Sequence, residues 1–184
     1  MLKNKIIRQS IITCFAVFSL AAVPCAAQTQ EPVRHPWWVN MGGGPGFVGS
    51  AGTMTAGFEY SEQLDGMILS GRLLGSTNKN PTILEYSPSG VVYKMAEYAV
   101  LYGPSYRYGS YLISGGAGIG LVRAIYENDN AVTTGKNSSI SLPLEAQWCW
   151  RPTHFVGCGL YAYASLNFEK TFSGLWFFAQ LGLW

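Results

Sequence analysis

Beyond residue 36, apolar side chains recur at every second position, and the runs that carry this period are long. Successive side chains of an extended chain point to opposite faces, so a period of two builds strands with one apolar face. Eight such runs can be placed: Trp38–Val48, Thr53–Ser61, Met67–Ser76, Met95–Tyr108, Tyr111–Tyr126, Ile140–Arg151, Phe155–Glu169 and Thr171–Leu183. They hold 9 to 16 residues, where an ordinary strand has about 5 or 6. Glycine supplies 22 residues, all after residue 27. Many lie inside the apolar runs, where they disfavour helix.

The two faces of each run differ in kind. In the sixth run Ile140, Leu142, Leu144, Ala146, Trp148 and Trp150 alternate with Ser141, Pro143, Glu145, Gln147 and Cys149. In the eighth, Leu175, Phe177, Ala179, Leu181 and Leu183 alternate with Gly174, Trp176, Phe178, Gln180 and Gly182. The fifth is blurred by its glycines, and a bulge is expected near Val122 and Arg123. The second face is glycine, serine, tyrosine and a few isolated charges. Only 12% of the chain is charged, against about 25% in soluble domains, so that face is too poor in charge for a well-solvated exterior. The arrangement that fits is apolar-out into lipid and small-polar-in to a narrow lumen, with strands long enough for a tilted crossing of about 9 to 11 residues.

The N-terminus carries its own signal. Lys3, Lys5 and Arg8 precede an apolar run from Ile11 to Val23 and a small-residue stretch ending Cys25-Ala26-Ala27. This reads as a secretory signal peptide over 1–27, cleaved after Ala27, leaving a single domain over 28–184. The apolar run has 13 residues, short of the about 20 that a spanning helix needs. A lipoprotein signal also ends at a cysteine, but the residue before Cys25 is Pro24 where a small one is normal, so cleavage is the favoured reading over acylation. Cleavage leaves nine basic and ten acidic residues, a net charge of −1, which argues against a nucleic-acid partner.

Connections and aromatics agree with this. With the N-terminus periplasmic, the inner turns are Glu62–Gly66, Gly109-Ser110 and Pro152–His154, all short. The long connections, Thr77–Lys94 and Glu127–Ser139, both fall on the outer side, as in outer-membrane barrels. Trp37, Trp38, Tyr106, Tyr108, Tyr111, Trp148, Trp150, Phe155 and Trp184 cluster at strand ends on the periplasmic side, an aromatic girdle at headgroup level.

These features resemble the small eight-stranded bacterial outer-membrane β-barrel proteins. The resemblance covers the whole mature chain and rests on the signal peptide, the alternation and the C-terminal strand LWFFAQLGLW (Leu175–Trp184). It implies an all-β fold, an eight-stranded antiparallel up-and-down transmembrane β-barrel. It also implies outer-membrane lipid as a partner and recognition of the last strand by the barrel-assembly machinery. In the family the final aromatic is in phase with the outward face, whereas Trp184 is even-numbered and the apolar positions of this strand are odd.

Charges in a narrow lumen must be paired. Face assignment sends Glu59, Glu97 and Glu145 inward with Arg72, Arg107 and Arg123, three acids against three bases, as a structural network that plugs the barrel and pins its registers. Eight strands leave an interior just filled by side chains. The two histidines, His35 and His154, precede the first strand or sit in an inner turn, the wrong side for a base serving the outer leaflet. The reading is therefore a non-enzymatic barrel that presents surface loops, with no catalytic residue, metal or cofactor implied. A narrow channel or small-molecule binder is the first alternative, a lipid-modifying enzyme the second, and a soluble periplasmic barrel with an apolar ligand inside the third. Cys149 and Cys158 fall on opposite faces of their strands, so two free thiols are expected. The loop Glu127–Ser139 is polar and expected to be mobile, and either outer loop is free to bind a surface partner.

Overall fold

The computed structural model describes residues 35–49, 51–77, 91–128, 131–168 and 171–184. Residues 1–34, with the signal-peptide expectation, Cys14 and Cys25, lie outside the described residues, as does most of the Thr77–Lys94 connection. Eight strands follow in chain order: β1 (Trp37–Val48), β2 (Ala51–Leu64), β3 (Met67–Thr77), β4 (Val91–Tyr108), β5 (Tyr111–Asn128), β6 (Ala131–Trp150), β7 (Val156–Asn167) and β8 (Phe172–Leu183). Each pairs antiparallel with the next, and β8 returns to β1 with Trp37 opposite Leu183 and Val48 opposite Phe172, closing the ring. Closure leaves no open sheet edge. All eight runs read from the sequence are strands, with ends displaced by at most four residues except in β6, which begins nine residues before Ile140.

The alternation sets what faces where. In β3, Ile68, Ser70, Arg72, Leu74 and Ser76 are buried, while Leu69, Gly71, Leu73 and Gly75 between them are exposed. Large apolar side chains cover the outside, among them Met41, Val100, Ile119, Leu142 and Phe177. The inside is packed by Trp38, Trp176, Tyr161, Phe172 and Phe178 together with serines, threonines and charged groups. Trp176 stacks on Tyr161 at 4.7 Å between ring centroids and meets Tyr163 edge-on at 5.6 Å. That indole fits because β2 carries Gly57 opposite it: a Cβ there would stand 2.1 Å from the ring.

Two of the short connections have recognisable turn chemistry. Asp65 and Gly66, both at positive φ (50° and 80°), join Leu64 to Met67, the backbone of a two-residue type I′ hairpin. This turn is shorter than the Glu62–Gly66 segment expected, because β2 continues to Leu64. Gly109 (φ 56°) and Ser110 join Tyr108 to Tyr111, and positive φ at the first position alone fits type II′. In the third, the Thr153 hydroxyl accepts hydrogen bonds from the backbone N–H groups of Phe155 (3.3 Å) and Val156 (3.0 Å).

Two expectations are corrected at the opposite end. Glu127–Ser139 is not a connection throughout: β5 runs to Asn128, and β6 begins at Ala131, ten residues before its last pairing with β7, Ser141 opposite Asn167. The polar composition hid an extension that its own hairpin ladder sustains, with Val122 opposite Ser139 and Ile125 opposite Lys136. The bulge expected near Val122 and Arg123 is absent. Even-numbered residues of β5 stay inward through Ala124, and the register shifts only between Glu127 and Asn128. Glycines had blurred the period without breaking it.

Candidate functional site

Among the described residues the lumen holds the buried polar chemistry, in two tiers. Near the short-turn end, Glu59 of β2 is fully buried, and one of its carboxylate oxygens accepts three hydrogen bonds. They come from Asn40 of β1 (3.3 Å), Gln147 of β6 (2.6 Å) and Ser61 (2.7 Å). The Asn40 amide also donates to Gln147 (3.1 Å), and Gln180 of β8 donates to Asn40 (2.8 Å). Gln180 in turn accepts from the Arg151 Nε (2.6 Å) and from the Cys149 thiol (3.3 Å). A continuous chain of bonds therefore crosses from Arg151, just past β6, through β8 and β1 to β2.

The second tier is built on Arg72. Its Nη2 lies 2.5 Å from a Glu97 oxygen of β4, and its Nη1 donates to the Tyr161 hydroxyl (3.1 Å) and stands 3.8 Å from Glu145 of β6. Tyr161 donates to Glu145. The other Glu97 oxygen accepts from Ser141 (2.8 Å) and Ser165. β5 brings no charged side chain to this tier and supplies space instead. A Cβ at Gly116 would stand 3.1 Å from a Glu145 oxygen, and one at Gly120 would stand 2.5 Å from the Ser141 hydroxyl. The glycine-rich stretch of β5 is thus the wall against which the β6 polar groups lie.

An aromatic cluster lies at the short-turn end. The Arg151 guanidinium lies between the rings of Trp38 (4.5 Å) and Trp184 (4.3 Å), and the Trp184 indole donates to the Thr153 carbonyl (3.1 Å). Burial pulls the Arg151 guanidinium down to about 10, which leaves it a cation at neutral pH.

The residues singled out from the sequence divide clearly. Glu59, Arg72, Glu97 and Glu145 meet in the lumen. Arg107 and Arg123 do not. Arg107 shares the inward parity of β4 but stands at the rim, exposed, two residues beyond the last buried position, Ser105. Arg123 is odd-numbered in a strand whose even positions face inward, so it points outward. The balance of three acids and three bases is therefore not what the lumen contains. Two carboxylates, Glu97 and Glu145, flank Arg72, while Glu59 is held by amide and hydroxyl donors in place of a cation.

Of the aromatic set, Trp37, Tyr108, Tyr111, Trp148, Trp150 and Phe155 are exposed on the outside, and Tyr106 is half-buried. Tyr111 stacks on Trp148 at 5.8 Å and Trp37 on Tyr60 at 6.4 Å. Trp38 is corrected: it is fully buried in the lumen, because it follows Trp37 in one strand and two consecutive residues cannot share a face. Trp184 is corrected too. Its even parity turns it over the mouth of the lumen onto Arg151, away from the outward face.

Sequence reasoning missed Asn40, Gln180 and Arg151 as network members. For Asn40 and Gln180 the signal was available, since both sit in phase with inward neighbours. Arg151 had none, because it lies where the alternation ends. Cys149 and Cys158 are both free, one buried and one exposed, on the opposite faces that their spacing requires. Among the described residues no group of three or more His, Cys, Asp or Glu side chains is placed to hold a metal ion. His35 and His154 are exposed at the short-turn end.

No protein-family model matches the sequence, and no curated protein matches it. Solved structures do. Neisserial surface protein A (NspA) superposes with a TM-score of 0.65 at 12% identity, over 79% of this chain and 96% of that one. Ail, the attachment invasion locus protein of Yersinia pestis, gives 0.59 at 14% identity, over 83% of this chain and 100% of that one. The N-terminal β-barrel domain of Pseudomonas aeruginosa OprF gives 0.56 at 9% identity, over 82% and 98%. By strand order, ring closure and inward-polar alternation, the chain has the fold of the small eight-stranded outer-membrane β-barrels.

Proposed function

We propose that this chain is an integral outer-membrane barrel of a Gram-negative envelope, non-enzymatic, with a plugged lumen, that presents its β3–β4 connection and β5–β6 hairpin at the cell surface. The observation that carries this reading is the inverted distribution of its side chains. Four charged groups, Glu59, Arg72, Glu97 and Glu145, are buried inside, while exposed apolar side chains form the exterior. On β5 the outward positions from Tyr111 to Leu121 carry no charge. The ten steps between them at about 3.3 Å each, tilted by about 40°, span roughly 25 Å, the height of the apolar band of such barrels. The exposed aromatics Trp37, Tyr108, Tyr111, Trp148, Trp150 and Phe155 form the headgroup girdle on the periplasmic side, joined by Tyr106.

Export proceeds through the 1–27 signal, cleaved after Ala27. The last strand engages the barrel-assembly machinery before Trp184 turns onto Arg151. The lumen network has a structural role: it fixes the relative heights of β1, β2, β3, β4, β6, β7 and β8. Membrane fractionation with a gel of boiled against unboiled protein tests the reading. A detergent-requiring outer-membrane band that shifts on boiling is expected, and a freely soluble protein with no shift overturns it. Single-channel recording tests the plug, with no conductance expected. Unchanged lipid A acylation on deletion of the gene is the corresponding expectation for a non-enzyme.

A further inference from the structure

One outward cation stands apart from the lumen chemistry. Arg123 is exposed on β5 two residues beyond Leu121, the last apolar outward position of the uncharged band before it, at the end opposite the two-residue turns. Among the described residues it has neither a hydrogen-bond nor an ion-pair partner. Its cross-strand neighbours are Ala96 and Ser138, too small to cover a guanidinium. Lys94, opposite Ile125, is its diagonal neighbour on the same face, a separation of about 7–8 Å. A guanidinium at this height is costly against hydrocarbon and favourable against phosphate.

Directly below lies an outward groove of about 620 Å³, walled by Leu73, Tyr98, Val100, Ile119 and Leu121 with Gly71 at its floor. Gly71 is opposite Val100, and Val100 opposite Ile119, so the missing side chain opens a trough across three strands. The trough is apolar and open toward the outside of the barrel. Its upper wall, Leu121, stands two residues below Arg123 on the same outward face.

We propose that this groove and Arg123 form a site for the phosphorylated, acylated glycolipid of the outer leaflet, with an acyl chain in the groove and a phosphate on the guanidinium. The proposal rests on the outer-membrane reading, which places the Arg123 end in that leaflet. An apolar groove alone would accept any acyl chain. The unpartnered cation at its upper end selects a lipid whose headgroup is anionic and lies in the leaflet on that side.

The test is native mass spectrometry of the protein purified from membranes in detergent, with added lipid A or phosphatidylglycerol. Wild type is expected to retain one lipid A, and Arg123→Ala to lower its occupancy about tenfold at equal lipid. Gly71→Leu, whose added Cβ meets nothing within 4 Å, fills the groove and is expected to reduce occupancy while keeping the boiling shift that marks a folded barrel. Undiminished lipid A binding by both folded variants overturns the site. Equal retention of phosphatidylglycerol overturns the choice of glycolipid. Either result with the protein still in the outer-membrane fraction leaves the outer-membrane reading standing, whereas a soluble protein sinks both.

Discussion

Gln180 and Asn40 stand 140 positions apart in sequence and are joined by a 2.8 Å hydrogen bond across the seam where the last strand meets the first. Both are fully buried, and each is held on its other side, Gln180 by Arg151 and Asn40 by Gln147 and Glu59. Gln180→Leu removes the bridge and leaves the Asn40 carbonyl and the Arg151 Nε short of partners. Unsatisfied buried groups of this kind cost about 1–3 kcal/mol each. A lower urea midpoint for loss of the boiling shift is the expected outcome, and an unchanged midpoint would show that the seam is held by backbone ladders alone.

The Arg72–Glu97 pair is wholly enclosed. Removing one partner of a buried pair strands the other charge and costs about 3–5 kcal/mol, whereas replacing both with apolar groups costs far less. Arg72→Met alone should therefore destabilise the barrel strongly. Arg72→Met combined with Glu97→Leu should recover part of the loss. A double-mutant cycle on urea unfolding in detergent measures the coupling, and a coupling near zero would falsify the pairing.

Trp184→Ala removes a ring from one face of Arg151 and a hydrogen bond to Thr153. The two together amount to about 1–3 kcal/mol. Trp184→Phe keeps a ring without the indole donor, so it should fall between wild type and the alanine variant. The order of the three midpoints is the check.

Gly57→Val drives a branched side chain into the Trp176 indole, already 2.1 Å from the position of a Cβ. Overpacking of this kind costs about 1–3 kcal/mol or more. Trp176→Leu in the same chain should restore part of the stability. A second-site variant that restores nothing would mean that the clash is relieved elsewhere.

Thiol counting separates the two faces. Alkylation of the unfolded protein without reductant should add two groups for Cys149 and Cys158, and the folded barrel should admit a small apolar reagent at Cys158 alone. Intact mass reads both numbers.

Much of this architecture was legible because a strand has only two faces. Parity alone sends Glu59, Arg72, Glu97 and Glu145 inward, the strand count follows from the same period, and the lengths of the connections mark the short-turn end. What parity does not carry is height. Arg107 has the inward parity of Glu97 yet sits at the rim, and no local pattern marks where the lumen ends along β4. Neither does parity survive a strand terminus, which is why Arg151 went unnoticed. Trp38 shows the opposite failure: it was grouped with other aromatics by position along the chain, although its adjacency to Trp37 already required that one of the two turn inward.

The ring closure has a kinetic consequence. Trp176, Phe178 and Gln180 all come from β8, and they fill three successive heights of the interior. A chain that has laid down β1 to β7 therefore has two unpaired edges and an incomplete filling at every height. Contacts so distant in sequence demand the loss of chain entropy before they return any stabilisation. Partially annealed states have little to hold them, and unfolding followed by intrinsic fluorescence and by gel shift should give a single coincident transition. The barrel behaves as one cooperative hoop, whose weakest moment is the instant before its final stave is set.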